Sequence, residues 1–221
     1  MPLHDVVVVG GGPAGCYVAG LLGRNGVDVL VVEEHSTIGE PVDCSGVVGA
    51  ETFDALNLPS FPVLGAIRAL TLISPSQIPI HFSLPVPLAF VVDRAAFDQA
   101  IAQMAGEAGV QFRTGARVVD LTISDSGVSV DVDEQGALSR VKARMVILAG
   151  GPRYKLQEKL GMGRPTAFLR TAQVEVRSSG FEETQVHLGE GVAPGSFAWM
   201  VPFRRNGVEH ARIGVSSKQV A

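Results

Sequence analysis

Six consecutive residues near the N-terminus, Gly10-Gly11-Gly12-Pro13-Ala14-Gly15, carry glycine at the spacing G-x-G-x-x-G. That spacing suits a backbone that turns sharply, approaches a diphosphate and then opens a helix lying close to a sheet. Gly10 is read as the turn, Gly12 as the close approach and Gly15 as the helix–sheet contact. Pro13 and Ala14 start the helix, whose unpaired amides and partial positive charge suit a diphosphate. Glu33, roughly 20 residues further on, is placed to accept hydrogen bonds from a ribose. Glu34 is its neighbour and rival for the role, but alternation along the strand favours Glu33. An acid there disfavours a 2′-phosphate, so NADP fits this pocket poorly. The chemistry is that of dinucleotide binding, and the glycine loop alone leaves FAD and NAD both open.

The elements around the loop agree with that reading. Asp5 and the valines at 6–9 form a β-branched run suited to a strand buried on both faces of a parallel sheet. A helix is predicted over 13–24 and is stopped by Asn25-Gly26, which tolerate left-handed geometry. A second buried strand follows over 27–32, completing a βαβ unit with a right-handed crossover. Residues 35–62 read as loops with one short helix. Antiparallel strands are predicted at 66–73, 78–82 and 89–92. A helix over 93–108 carries Phe97, Ile101 and Met104 along one side. A meander over 111–143 turns at Asp125-Ser126-Gly127 and Glu134-Gln135-Gly136. A separate buried strand at 144–149 ends in Gly150-Gly151, and four strands are expected between 166 and 216.

Bulk composition narrows the function further. A chain of 221 residues, 46% hydrophobic and 18% charged, can bury a sizeable core. Its net charge of -4 gives no reason to expect nucleic acid as a partner. Cys16 and Cys44 make no disulfide framework, and the five histidines are scattered singly, so no metal site is expected. Cys16, in the first turn of the loop's helix, is expected to pack rather than react. No secretory leader or span of roughly 20 apolar residues is apparent. The expected location is the cytoplasm, with peripheral membrane contact left open by the greasy composition.

The return to the sheet after an antiparallel excursion resembles the glutathione-reductase-type flavoproteins and points to FAD rather than NAD. Within them the chain is most similar to the geranylgeranyl reductase family. The resemblance rests on 5–15 with Glu33, Pro41-Val42-Asp43-Cys44-Ser45-Gly46, Val92-Asp93-Arg94-Ala95-Ala96-Phe97-Asp98, Val146-Ile147-Leu148-Ala149-Gly150-Gly151 and Gly195-Ser196-Phe197-Ala198-Trp199-Met200-Val201-Pro202. The last resembles the family's aromatic-x-Trp-x-x-Pro signature, with Phe197 in the usual place of tyrosine.

The resemblance implies an α/β fold: a Rossmann-type FAD-binding parallel sheet, an antiparallel meander and the start of a mostly antiparallel substrate domain. The FAD-binding domain would comprise 1–62 with 93–165, and a partial substrate domain 63–92 with 166–221. Gly10, Gly12, Pro13, Ala14, Gly15, Glu33, Glu34, Arg94, Val118, Gly150 and Gly151 would contact the cofactor. Cys44 would serve reduction near the flavin ring, while Phe197, Trp199 and Pro202 would line a tunnel for an isoprenoid chain. The electron donor would be NAD(P)H or a reduced carrier protein, since there is one phosphate loop. Two departures stand out: Gly150-Gly151 replaces an expected Asp-Gly pair, and the family's later Gly-Asp-Ala motif does not occur. The expectation is therefore an N-terminal portion of a longer enzyme. The alternatives are an FAD-dependent aromatic monooxygenase and a non-catalytic module that binds nucleotide or lipid.

Overall fold

The computed structural model describes residues 3–42, 44–56, 58, 62–178 and 180–218. In chain order its first elements are β1 (Leu3–Val9), α1 (Pro13–Arg24), β2 (Val29–Val32), β3 (Val47–Gly49), α2 (Ala50–Leu56), β4 (Val63–Ile67), β5 (Ala69–Ile73), β6 (Pro79–Ser83) and β7 (Ala89–Val92). There follow α3 (Arg94–Glu107), β8 (Gln111–Arg113), β9 (Arg117–Ser124), β10 (Gly127–Glu134), β11 (Ala137–Leu148) and α4 (Lys155–Lys159). The last four are β12 (Arg170–Arg177), β13 (Thr184–Leu188), β14 (Phe197–Arg205) and β15 (Val208–Ser217). The chain divides into two compact units, 1–42 with 95–164 and 43–94 with 165–221.

The first unit is built on a six-stranded sheet in the order β8-β2-β1-β11-β10-β9. β1 pairs in parallel with β2 on one side and β11 on the other. Its valines show why an unbroken apolar run was needed. Val7 and Val9 enter one core with Leu30, Leu121 and Val130, while Val6 and Val8 enter a second with Ala19 of α1 and Ala105 of α3. α1 begins with Pro13, whose missing N–H costs nothing at that position, and ends where Asn25 bonds back to the last carbonyls. On α3 the buried stripe is Phe97, Ile101 and Ala105, so Ala105 takes the place expected for Met104.

The end of the meander expected over 111–143 and the strand expected at 144–149 are one. β11 runs unbroken because its first half pairs antiparallel with β10 and its second half parallel with β1. The charged residues of its middle alternate outward, with Val141 and Ala143 turned into the core. α4 had no apolar periodicity of its own and was not foreseen; Leu156 and the following Leu160 seat it on the core.

The second unit holds a six-stranded sheet in the order β12-β15-β14-β13-β5-β6 and a three-stranded sheet in the order β3-β7-β4. All its neighbouring strands run antiparallel except β5 and β13, which are parallel. Residues 43–62, grouped by sequence with 1–42, belong here instead. The reason is that β3 pairs with β7, Val47 facing Val91, a long-range pairing that no local pattern announces. Val91, Val201 and Phe203 form the buried core of this unit, flanked by Leu64, Ile67 and Trp199.

Candidate functional site

The carboxyl ends of β1, β2 and β11 lie side by side in the first unit. The chain leaves β1 for β2 through α1, while β11 flanks the other side, and at such a reversal open α/β sheets bind ligands. Gly10 follows β1 with φ of +105°, and a Cβ on it would stand 2.5 Å from the Ala149 oxygen. A Cβ on Gly15 would stand 2.0 Å from the Gly10 oxygen. These two positions therefore require glycine for the packing of loop, helix and β11. Gly12 differs: a Cβ there meets nothing within 4 Å, so its bare backbone faces open space. Among the described residues no side chain caps α1, leaving its first amides for a ligand.

Glu33 directly follows β2 and is held in place. Its Oε2 accepts the Gly11 N–H at 2.6 Å, and its Oε1 accepts from the His35 backbone N–H at 2.9 Å and from His35 Nδ1 at 2.6 Å. A carboxylate offers about four acceptor positions, so these three leave one for a ribose hydroxyl. Glu34 is turned to a different task, an ion pair with Arg153 at 2.8 Å. Glu33, Glu34 and His35 bring ligand-capable atoms within 4.8 Å of one another. The hydrogen bonds just described account for that grouping. Gly150 and Gly151 follow β11 beside the loop, since the Ala149 N–H donates to Val9 O at 2.8 Å. Val118 lies on β9, two strands out from β11 in the sheet, half-buried against the core. Cys16 is fully buried, its thiol donating to the Gly11 oxygen at 3.1 Å. Burial, with the charges of Asp98 and Glu33, pushes that thiol's pKa up to about 12, so it packs as a neutral group.

These features fit the ADP half of FAD: an open glycine backbone, an uncapped helix start and an oriented carboxylate with acceptor capacity to spare. Gly10, Gly12, Gly15 and Glu33 are the residues that would hold it.

The other expected residues lie in the second unit. Cys44 is half-buried in the loop before β3, and Asp43 of its motif lies outside the described residues. The Cys44 backbone oxygen accepts from Gln173 Nε2 at 3.2 Å, and the next carbonyl, of Ser45, accepts from Arg212 Nη1 at 2.7 Å. Arg212 is 3% exposed; its Nη1 also donates to Val92 O at 3.1 Å, and its guanidinium lies 4.7 Å from the Phe203 ring centre. Nε of Arg212 reaches Glu175 Oε2 at 3.4 Å. The pattern is a buried cation gripping backbone carbonyls, paired with a partly exposed carboxylate. Arg94 starts α3 beside this loop, its Cγ 3.3 Å from where a Gly46 Cβ would be. Phe197 and Trp199 share one face of β14, their rings 5.8 Å apart. Pro202 projects from the opposite face, so a surface lined by Phe197 and Trp199 excludes its ring. Sequence reasoning missed Arg153, His35, Gln173 and Arg212. None sits in a motif, and all but His35 act through a partner that the fold brings from far along the chain.

Residues 5–151 match the family model described as FAD dependent oxidoreductase. The chain belongs to that family, and its fold and glycine cradle are those of an FAD-binding oxidoreductase. Among curated relatives, a protein named digeranylgeranylglycerophospholipid reductase 1 from Methanococcoides burtonii is 29% identical, covering 96% of this chain and 54% of the relative. Another of that name from Methanosphaera stadtmanae is 31% identical, covering 96% and 55%. A solved structure from Thermoplasma acidophilum, described as geranylgeranyl bacteriochlorophyll reductase-like, superposes with a TM-score of 0.88 at 22% identity, covering 99% of this chain and 57% of that one. The chain thus spans about half the length of the curated relatives it matches. Among the described residues no helix is long and apolar enough to cross a membrane.

Proposed function

We propose that the protein takes part in FAD-dependent reduction of carbon–carbon double bonds in an isoprenoid lipid. The observation that supports this best is a row of apolar side chains on one sheet face of the second unit. Trp199 faces Val186, Val186 faces Leu72 and Leu72 faces Ile80 across four adjacent strands. Three strand spacings of about 4.8 Å make the row roughly 14 Å long, a length suited to an extended terpenoid chain. Phe82 and Leu70 pair one residue pair away on that face, and Phe197 pairs with Leu188 beyond Trp199. Ile80 is 50% exposed and Phe82 48%, leaving apolar surface for a ligand to cover. The two relatives named above, both digeranylgeranylglycerophospholipid reductases, support the same substrate class.

FAD, when bound and reduced, supplies the hydride. The protein's own residues then have three tasks. Gly10, Gly12, Gly15 and Glu33 bind the ADP half. The apolar row aligns the chain and excludes water. Cys44 Sγ–H delivers the proton to the second carbon of the double bond, and Arg94 contributes to holding the cofactor. NAD(P)H or a reduced carrier supplies the electrons.

The test is to incubate the FAD-loaded protein, chemically reduced, with a geranylgeranyl lipid and to follow the product by mass spectrometry. Addition of a hydrogen pair per double bond supports the reading, with Cys44→Ser losing turnover while retaining flavin. Oxygen incorporation into an aromatic compound instead would assign the chain to hydroxylation.

A further inference from the structure

Gln173 is the one residue of β12 that is not exposed, an unusual position for an amide on an edge strand. Its side chain spans two partners from distant parts of the chain. Oε1 accepts the indole N–H of Trp199 at 3.2 Å, and Nε2 donates to the Cys44 carbonyl at 3.2 Å. The chemistry of the partners fixes the amide's orientation. An indole N–H can only donate and a carbonyl can only accept, so the residue between them must accept on one side and donate on the other. Glutamate could not donate to the Cys44 carbonyl, and leucine could do neither.

Sheet register explains how Gln173 and Trp199 meet. Both pair with Gly214 of β15, Gln173 from β12 and Trp199 from β14. Residues two strands apart are normally separated by the side chain between them, about 10 Å from Cα to Cα. Here that position has no side chain, and the Trp199 ring occupies the space: a Cβ on Gly214 would stand 2.2 Å from the ring. The glycine thus opens the passage through which the indole reaches Gln173.

We propose that Gln173 is a positioning residue for Cys44, held by Trp199 across Gly214, so that the aromatic of the apolar row and the thiol loop are set by one amide. This rests on the assignment of Cys44 as proton donor. The same Trp199 that would touch the lipid thereby fixes the loop that would protonate it. A displaced indole releases the Gln173 oxygen, and the amide is then free to turn away from the Cys44 carbonyl.

The chain's composition makes the test direct. It has one tryptophan and two cysteines, of which Cys16 is buried and un-ionised at neutral pH. Alkylation by iodoacetamide therefore reports Cys44, and the single indole N–H signal in an NMR spectrum reports Trp199. In the full chain, Gln173→Leu is expected to alkylate about fivefold faster at neutral pH, the factor of one lost hydrogen bond, with the indole N–H exchanging faster with water. Trp199→Phe keeps an aromatic ring but removes the indole N–H along with part of the bulk over Gly214; it should move the alkylation rate in the same direction by a smaller factor. A Gln173→Leu protein that is folded by circular dichroism but alkylates at the wild-type rate overturns the proposal. Should Gln173→Leu fail to fold, Trp199→Phe decides it by the same measurement. The two assignments separate cleanly. Cys44→Ser with full turnover sinks the proton donor and leaves the clamp standing. Unchanged alkylation in Gln173→Leu, with Cys44→Ser inactive, sinks the clamp alone.

Discussion

The phosphate loop and the Cys44 loop are both glycine-containing turns next to a strand, yet they are held by different means. Glu33 reaches the Gly11 amide from 22 positions away, inside one βαβ unit. The carbonyls of Cys44 and Ser45 are gripped from 129 and 167 positions away, by Gln173 and Arg212. The first loop is shaped by its own glycines and the acid of the next strand. The second takes its shape from side chains on β12 and β15, strands that lie far along the chain from it. The glycine loop and its acid thus lie within one βαβ unit, whereas the loop proposed to carry the thiol is held by side chains distant in sequence.

That contrast can be broken by substitution, most severely in the local loop. Gly15→Val would drive a side chain into the Gly10 carbonyl, where backbone cannot yield. We expect loss of flavin binding on reconstitution and at least about 3 kcal/mol of lost stability, read by absorbance and urea unfolding. Next in size is Arg212→Met, which keeps the volume but leaves the Ser45 and Val92 carbonyls without their donor. It should cost about 2 to 3 kcal/mol in urea unfolding, with flavin binding by the first unit intact. If Arg212→Met abolished flavin binding instead, the division between a local and a global loop would fail.

The effect that is smallest at neutral pH concerns Cys16 and is a pH dependence. Its thiol is raised in the folded protein to about 12 from an ordinary 9.0. The unfolded chain gives up that proton first as pH rises. The stabilisation is therefore complete below pH 9 and is lost progressively towards pH 12, with a slope of at most about 1.4 kcal/mol per pH unit. Cys16→Ala should flatten this alkaline loss in chemical denaturation curves compared across that range, at a neutral-pH cost below about 1 kcal/mol. An unchanged slope would show that other groups govern the alkaline limb.

The same contrast explains what could be read from sequence. The valines of β1, the bounds of α1, Gly10, Gly12 and Gly15 were legible because strand period, helix capping and turn geometry act over a few residues. The place of Glu33 just after β2 was legible, although its hydrogen bonds to Gly11 and His35 were not. β11 was divided in two because its alternating first half and its all-apolar second half read as different strands, whereas strand pairing on both sides makes them one. β3 was missed because its stability comes entirely from β7. Gln173 and Arg212 read as ordinary strand residues, since nothing in an alternating pattern distinguishes a solvated polar side chain from one that reaches a distant carbonyl. Phe197, Trp199 and Pro202 were grouped by the family signature they resemble, and the two-residue period of β14 separates Pro202 from the others.

β11 also has a practical consequence for altering this protein. At Lys142 and Ala143 it is bonded on both sides at once, to Leu3 and His4 of β1 and to Ser129 and Val128 of β10. Those two residues act as a rivet, so that whatever is spliced into the turn at 135–136 hangs from the far end of β10 and β11 without shifting Gly150 relative to Gly10. That hairpin tip is the place for a fluorescent label or an inserted tag, whereas the turn at 125–127 lies against the Ala143 carbonyl. Shortening β11 itself by one residue would turn every side chain beyond the cut to the wrong face and carry the cradle's third wall away with it.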